Sequence, residues 1–187
     1  MIRYAEKKDA QAIAPLILVI LKDMELPFVA RYGEEKTLAV LEAGIVTESY
    51  RYSYRRALVS EIDGQVAGVA FGYSDKEEPQ IDEPLKAILQ QLEIDPEEKL
   101  FTDPETLPGE WYLDTISVSP AFRGHGVGTA LLEALPQIAL RDGEQVIGLS
   151  VDRQNPGAKR LYSRMGYEVV AETVISGHDY EHMQRRI

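Results

Sequence analysis

Between Arg123 and Leu132 the chain reads RGHGVGTALL, with Gly124, Gly126 and Gly128 at alternate positions. Behind it lies WYLDTISVS, residues 111–119, a strand by composition that Pro120 stops. Ahead of it Leu131, Leu132, Leu135 and Ile138 recur at helical spacing, predicting a helix over about 126–141 with a bend or early end at Pro136. A strand, a short glycine loop and a helix leave few options. The first N–H groups of a helix have no partner within it, and its dipole favours negative charge there. Glycine lets the backbone approach a bound group with no Cβ between. The unit is suited to an anion, most simply a phosphate, with Arg123 adding a charge-assisted contact. The plainer reading is a flexible turn.

The rest of the chain supplies one mixed α/β domain over 1–187. Residues 2–5 read as a short strand, and 7–24 as a helix with apolar positions 10, 13, 16, 17, 20 and 21, blemished by Pro15. Residues 34–50 form a second amphipathic segment. Two strands over 57–74 flank Asp63-Gly64, a hairpin signal. EQVIGLSVD is a further strand. Asn155-Pro156 opens a helix that Gly166 closes, and two final strands cover 167–175 and 178–185. The order is βααββ, an insertion, then βαβαββ. The insertion, 74–109, holds eleven Asp and Glu against three Lys and half of the ten prolines, with a short helix over 84–92. It reads as a solvated excursion, the alternative being a lid over the site.

Charge and composition exclude several classes. A net charge of -11 repels nucleic acid and anionic membrane. The longest apolar stretch, residues 12–21, is too short to span a bilayer, and the N-terminus lacks a signal-peptide pattern, so a cytoplasmic location is expected. The absence of cysteine removes thiolate ligands and a cysteine nucleophile. His178 and His182 are four apart, but on a strand and without a third ligand, so no metal is expected. SYRYSYRR, 49–56, alternates aromatic and basic residues; in so acidic a chain it reads as a wall of an acceptor cleft or as plain surface.

The loop fails both common nucleotide patterns: G-x-G-x-x-G meets Thr129 at its last glycine, and no lysine follows for a P-loop. Arg123-Gly124-His125-Gly126-Val127-Gly128 does fit [QR]-x-x-G-x-[GA]. Upstream is Ser117-Val118-Ser119-Pro120, and after one more strand comes NPGAKRLYSRMGY, 155–167. In these two motifs, their order and their separation, the segment 111–170 resembles the acetyl-CoA-binding core of the GNAT superfamily of N-acetyltransferases.

That resemblance implies a central mixed sheet with splayed central strands, here 111–118 and 145–152, and flanking helices. It implies acetyl-CoA in the cleft, with Ile116, Ser117 and Val118 along the pantetheine and Arg123, Gly124, His125, Gly126, Val127, Gly128 and Thr129 at the pyrophosphate. Asn155 and Ala158 would border the pantetheine, although capping alone explains an asparagine at 155. Tyr162 falls where members have a tyrosine that protonates the leaving thiolate; otherwise its ring only packs. For the base, Glu110, Tyr112, Asp114 and Ile116 alternate onto one strand face. Asp114 comes first, Glu110 second and Asp152 third, with a structural hydrogen bond as the plainer role for Asp114.

The implied reaction is direct transfer to a primary amine of a small molecule or peptide, without an acyl-enzyme. The alternatives are a module that binds acyl-CoA with little catalysis, and a donor other than acetyl-CoA. A homodimer is expected by analogy alone.

Overall fold

The computed structural model describes residues 1–187. Seven strands form one sheet: β1 (Ile2–Tyr4), β2 (Ala57–Ile62), β3 (Gln65–Ser74), β4 (Trp111–Val118), β5 (Val146–Asp152), β6 (Glu168–Ile175) and β7 (His178–Arg186). Their order is β1-β2-β3-β4-β5-β7-β6. Every pairing is antiparallel except β4 with β5. Asp63 and Gly64 both take positive φ, 48° and 75°, as the tight β2–β3 hairpin requires.

Five helices cover the sheet: α1 (Ala10–Asp23), α2 (Pro27–Ile45), α3 (Leu85–Gln91), α4 (Val127–Arg141) and α5 (Pro156–Arg164). Side chains alternate across β2, so Ala57 and Val59 join α1 and α2 on one face while Leu58 joins α4 on the other. The first core closes over Ile13, Ile17 and Leu21, fully buried at i, i+4 and i+8 of α1. Burying such side chains contributes about 1.5–3 kcal/mol each. The second closes over Leu131, Leu132, Leu135 and Ile138 of α4.

Three expectations change. α2 starts at Pro27, not near residue 34, because proline at a first helical position is preorganised; Gly33 (φ 83°, ψ 168°) then breaks it. α4 runs through Pro136 to Arg141, with Leu135, Ile138 and Ala139 buried on either side of the missing N–H. The segment 74–109 is no solvated excursion. Leu85, Ile88, Leu89, Ile94 and Leu100 are buried in the α1–α2 core, and the Glu78 carboxylate accepts the N–H groups of Glu105 (2.9 Å) and Thr106 (3.2 Å). Its helix, α3, carries no acid; the acids lie in the turns on either side of it, and one of them, Glu105, is buried.

Candidate active site

β4 and β5 pair only where Trp111–Leu113 faces Ile147–Leu149. Beyond that point β4 stays with β3 and β5 with β7, so the two strands diverge and their facing edges have no partner. Ser119 N–H donates to Ala67 O at 2.8 Å, which fixes the phase of the β3–β4 ladder. Ser117 and Thr115 therefore bond toward β3, and Ile116 and Val118 turn their N–H and C=O into the gap. Burial runs in step: Thr115 and Ser117 are buried, Ile116 and Val118 half-buried. Of the three residues expected along the pantetheine, Ser117 is thus turned away. A bulge between Phe71 and Gly72 leaves Asp114 with no opposite residue on β3.

At the fork lies a cleft of about 390 Å³. β4 contributes Tyr112, Asp114 and Ile116; β5 contributes Ser150 and Asp152; Asn155, Ala158 and Tyr162 close the far side. Asn155 Oδ1 accepts the Ala158 N–H at 3.0 Å, so it caps α5 as well as lining the cleft. Burial raises the Tyr162 phenol to about 12, with no charged neighbour contributing. Four lining residues are acids (Asp23, Glu105, Asp114 and Asp152), and no Lys or Arg lines the cleft.

The glycine loop follows β4 through a short turn, Pro120–Phe122. Gly124 and Gly126 take φ of 76° and 75°, a left-handed conformation that β-carbons disfavour, and Gly126 caps α4. The first bond back is Ala130 N–H to Gly126 O at 2.9 Å, which leaves the N–H groups of Val127, Gly128 and Thr129 without helical partners. A Cβ added at Gly124 or Gly126 would meet nothing within 4 Å, so the loop is open beside those two residues. Arg123 and His125 are exposed beside them, and His125 Nδ1 lies 2.9 Å from Arg123 O.

The two carboxylates on the base candidates' strand go separate ways. Asp114 reaches the cleft, but its side chain is 3% exposed and meets Arg51 Nη1 at 2.5 Å through Oδ1 while Oδ2 accepts from the Thr115 hydroxyl. Glu110 does not reach the cleft. It is fully buried where β4 and β5 still pair, and accepts from Leu107 N–H (2.8 Å), His182 Nε2 (2.9 Å) and Gln184 Nε2 (2.7 Å). Its carboxylate fills the place where a side chain on Gly148 would be. Asp152 lines the cleft at the end of β5 and accepts the Gln154 N–H at 2.8 Å.

Two features were not anticipated from the sequence. The SYRYSYRR stripe turns inward: Tyr50, Arg51, Tyr52 and Ser53 are all buried. Arg51 binds Asp82 through Nε (2.9 Å) and Nη2 (2.8 Å), and its Nη1 serves Tyr73 (2.8 Å), Glu105 (3.0 Å) and Asp114. Glu105, from the acidic segment, is the second: burial foremost, and then the charge of Asp114, push its carboxyl up to about 8. No spacing in the sequence marks it out among eleven acids.

A mixed sheet forked at its one parallel pair, with a glycine loop after the first forked strand and a phenol inside the fork, defines the class: an α/β acyltransferase fold. The chain belongs to the acetyltransferase (GNAT) family, whose family model matches residues 20–167. A solved structure described as an acetyltransferase is 49% identical, with a TM-score of 0.92, over 100% of this chain and 98% of that one. The N-acetyltransferase of Staphylococcus aureus Mu50 is 27% identical, with a TM-score of 0.88, over 99% of this chain and 100% of its own. Among curated proteins, an uncharacterized N-acetyltransferase of Methanocaldococcus jannaschii is 42% identical over 53 residues, 28% of this chain. That match spans about a quarter, 24%, of the archaeal protein's length. No helix is long and apolar enough to cross a membrane.

Proposed function

We propose that the protein transfers the acetyl group of acetyl-CoA directly to a primary amine, and that the acceptor arrives as a cation. One observation carries the reading: the unpaired edge of β4 leads from the open N–H groups of the glycine loop to the fork, where Tyr162 lines the cleft. When bound, acetyl-CoA supplies an activated acyl carbon on a thiol leaving group. The backbone of Ile116 and Val118 holds the pantetheine as an added strand would be held. Val127, Gly128 and Thr129 N–H, with Gly124, Gly126, Arg123 and His125 around them, hold the pyrophosphate. Asn155 and Ala158 border the chain between. An N–H on the open edge of β4 steadies the thioester oxygen as it gains charge. Tyr162 gives its proton to the departing sulfur; burial keeps the phenol protonated, and so able to donate, throughout the neutral range.

The acid-lined cleft supports the choice of acceptor. A primary amine of the lysine type has a pKa of about 10.4 and is an ammonium at neutral pH. Asp152 and Asp23 draw it in, and no Lys or Arg lines the cleft to oppose it; Asp114 is already paired with Arg51. Both small-molecule and peptide amines fit that chemistry.

The test is thermal unfolding of protein freed of bound CoA, with acetyl-CoA, NADH or ATP added, followed by thiol release with a panel of amines. Acetyl-CoA at a hundred times its dissociation constant adds about 2.7 kcal/mol of stability, and NADH and ATP add none. No shift with acetyl-CoA overturns the reading. A shift without transfer to any amine supports instead a module that binds acyl-CoA.

A further inference from the structure

Ser150, His182 and Glu110 form a line of hydrogen bonds from the cleft into the core. Ser150 lines the cleft and stands opposite His182 in the β5–β7 register. Ser150 Oγ lies 3.4 Å from His182 Nδ1, and His182 Nε2 lies 2.9 Å from Glu110 Oε2. His182 is 1% exposed and Glu110 fully buried.

The donors around Glu110 settle how the protons run. Its oxygens accept from Leu107 N–H and from Gln184 Nε2, two groups that can only donate. A carboxylate surrounded by donors takes the His182 Nε2–H as a third. In neutral His182 the proton then sits on Nε2, and the Nδ1 lone pair faces Ser150. Around the ring, Tyr112 of β4 stacks at 5.8 Å, Ser150 of β5 and Glu110 meet its two nitrogens, and Ala171 stands opposite on β6. Of these only Glu110 is charged.

Nothing in the cleft competes equally. Asp114 and Glu105 both spend an oxygen on Arg51, and Asp152 lies at the outer end of β5. Ser150 is the first residue of β5 beyond the pairing with β4, beside the point where the strands part.

We propose that Ser150 takes the acceptor's proton and passes its own to His182, so that the buried His182–Glu110 pair is the proton sink of the transfer. This rests on the acetyl transfer proposed above. The ammonium loses two protons in all. The first goes to Ser150 Oγ as the Ser150 hydroxyl proton moves to His182 Nδ1, leaving an imidazolium bonded to the Glu110 carboxylate. The freed nitrogen lone pair forms the C–N bond, and the C–S bond breaks with its electron pair on sulfur. The second proton ends on that sulfur through Tyr162. His182 returns its proton to water once the product has left. Ser150 is the catalytic contact; His182 and Glu110 act through it.

Two measurements test this. Nitrogen NMR of histidine-labelled protein is expected to find neutral His182 protonated on Nε2, with its Nδ1 resonance moved by Ser150→Ala; a proton on Nδ1 overturns the proposal whether or not an acceptor is known. In turnover with an amine that the wild type acetylates, Ser150→Ala is expected to lower kcat about 10²- to 10⁴-fold, with the acetyl-CoA dissociation constant unchanged and the acidic limb of the kcat/KM profile lost. Ser150→Thr, which keeps a hydroxyl, retains that limb. A Ser150→Ala enzyme within twofold of wild type at every pH overturns the relay while leaving the acetyl transfer standing.

Discussion

Arg51 Nη1 stands 2.5 Å from Asp114 Oδ1, and both side chains are 3% exposed. The same guanidinium holds Asp82 and Glu105. Removing it strands the Asp114 carboxylate almost wholly out of water and the half-buried Asp82 carboxylate beside it. Breaking a buried ion pair from one side costs about 3–5 kcal/mol, because the remaining charge is left uncompensated. Arg51→Met is therefore expected to lower the unfolding free energy by about that much in a urea titration. Arg51→Lys rescues only part, since an ammonium lacks the fork that grips Asp82 through two nitrogens.

Glu105 links stability to pH. Its carboxyl titrates at about 8 in the folded chain, against 4.5 for an ordinary glutamate. Between those values the folded protein holds a proton that the unfolded chain has released. The contribution is complete below about pH 4.5 and is lost as pH rises to about 8. Glu105→Gln is expected to flatten this fall, making the variant the more stable of the two at pH 9. Denaturation midpoints measured from pH 5 to 9 check it; parallel curves for both proteins refute it.

Tyr162→Phe removes one oxygen from the cleft and leaves the ring against Tyr167, 6.1 Å away. If the phenol protonates the leaving sulfur, kcat falls about 10²-fold or more while acetyl-CoA binds as before. Calorimetric binding alongside thiol-release kinetics separates the two effects. An unchanged kcat leaves Tyr162 with packing alone.

Gly148→Ala puts a methyl group where the Glu110 carboxylate lies. Overpacking of this kind costs about 1–3 kcal/mol, and here it also displaces the partner of His182. The same change in a Glu110→Ala background is expected to cost less, a coupling that a double-mutant cycle reads directly. Equal costs in both backgrounds refute the overlap.

What the sequence disclosed follows from local chemistry. A glycine at φ 75° ahead of a helix, and asparagine followed by proline at the start of another, state their own geometry, so the loop and α5 were legible. The alternation that put Glu110, Tyr112 and Asp114 on one face did not say where the fork opens. Glu110 falls behind the point at which β4 and β5 part, and that point depends on how two strands meet. Glu105 was illegible for a related reason: its burial is decided by Arg51, 54 positions away along the chain. Ser150 and His182 pair across 32 positions, and no motif joins them.

Segment 74–109 contributes Leu85, Ile88 and Leu89 to the core and Glu105 to the cleft. In many enzymes the stretch that chooses the acceptor is a detachable loop, exchanged between relatives with little harm. Here one piece of chain both lines the cleft and closes the core. Grafting this stretch from a relative would empty the α1–α2 core before it altered what the cleft admits. New acceptors are open to this scaffold through single replacements at the cleft wall, and closed to it through wholesale exchange.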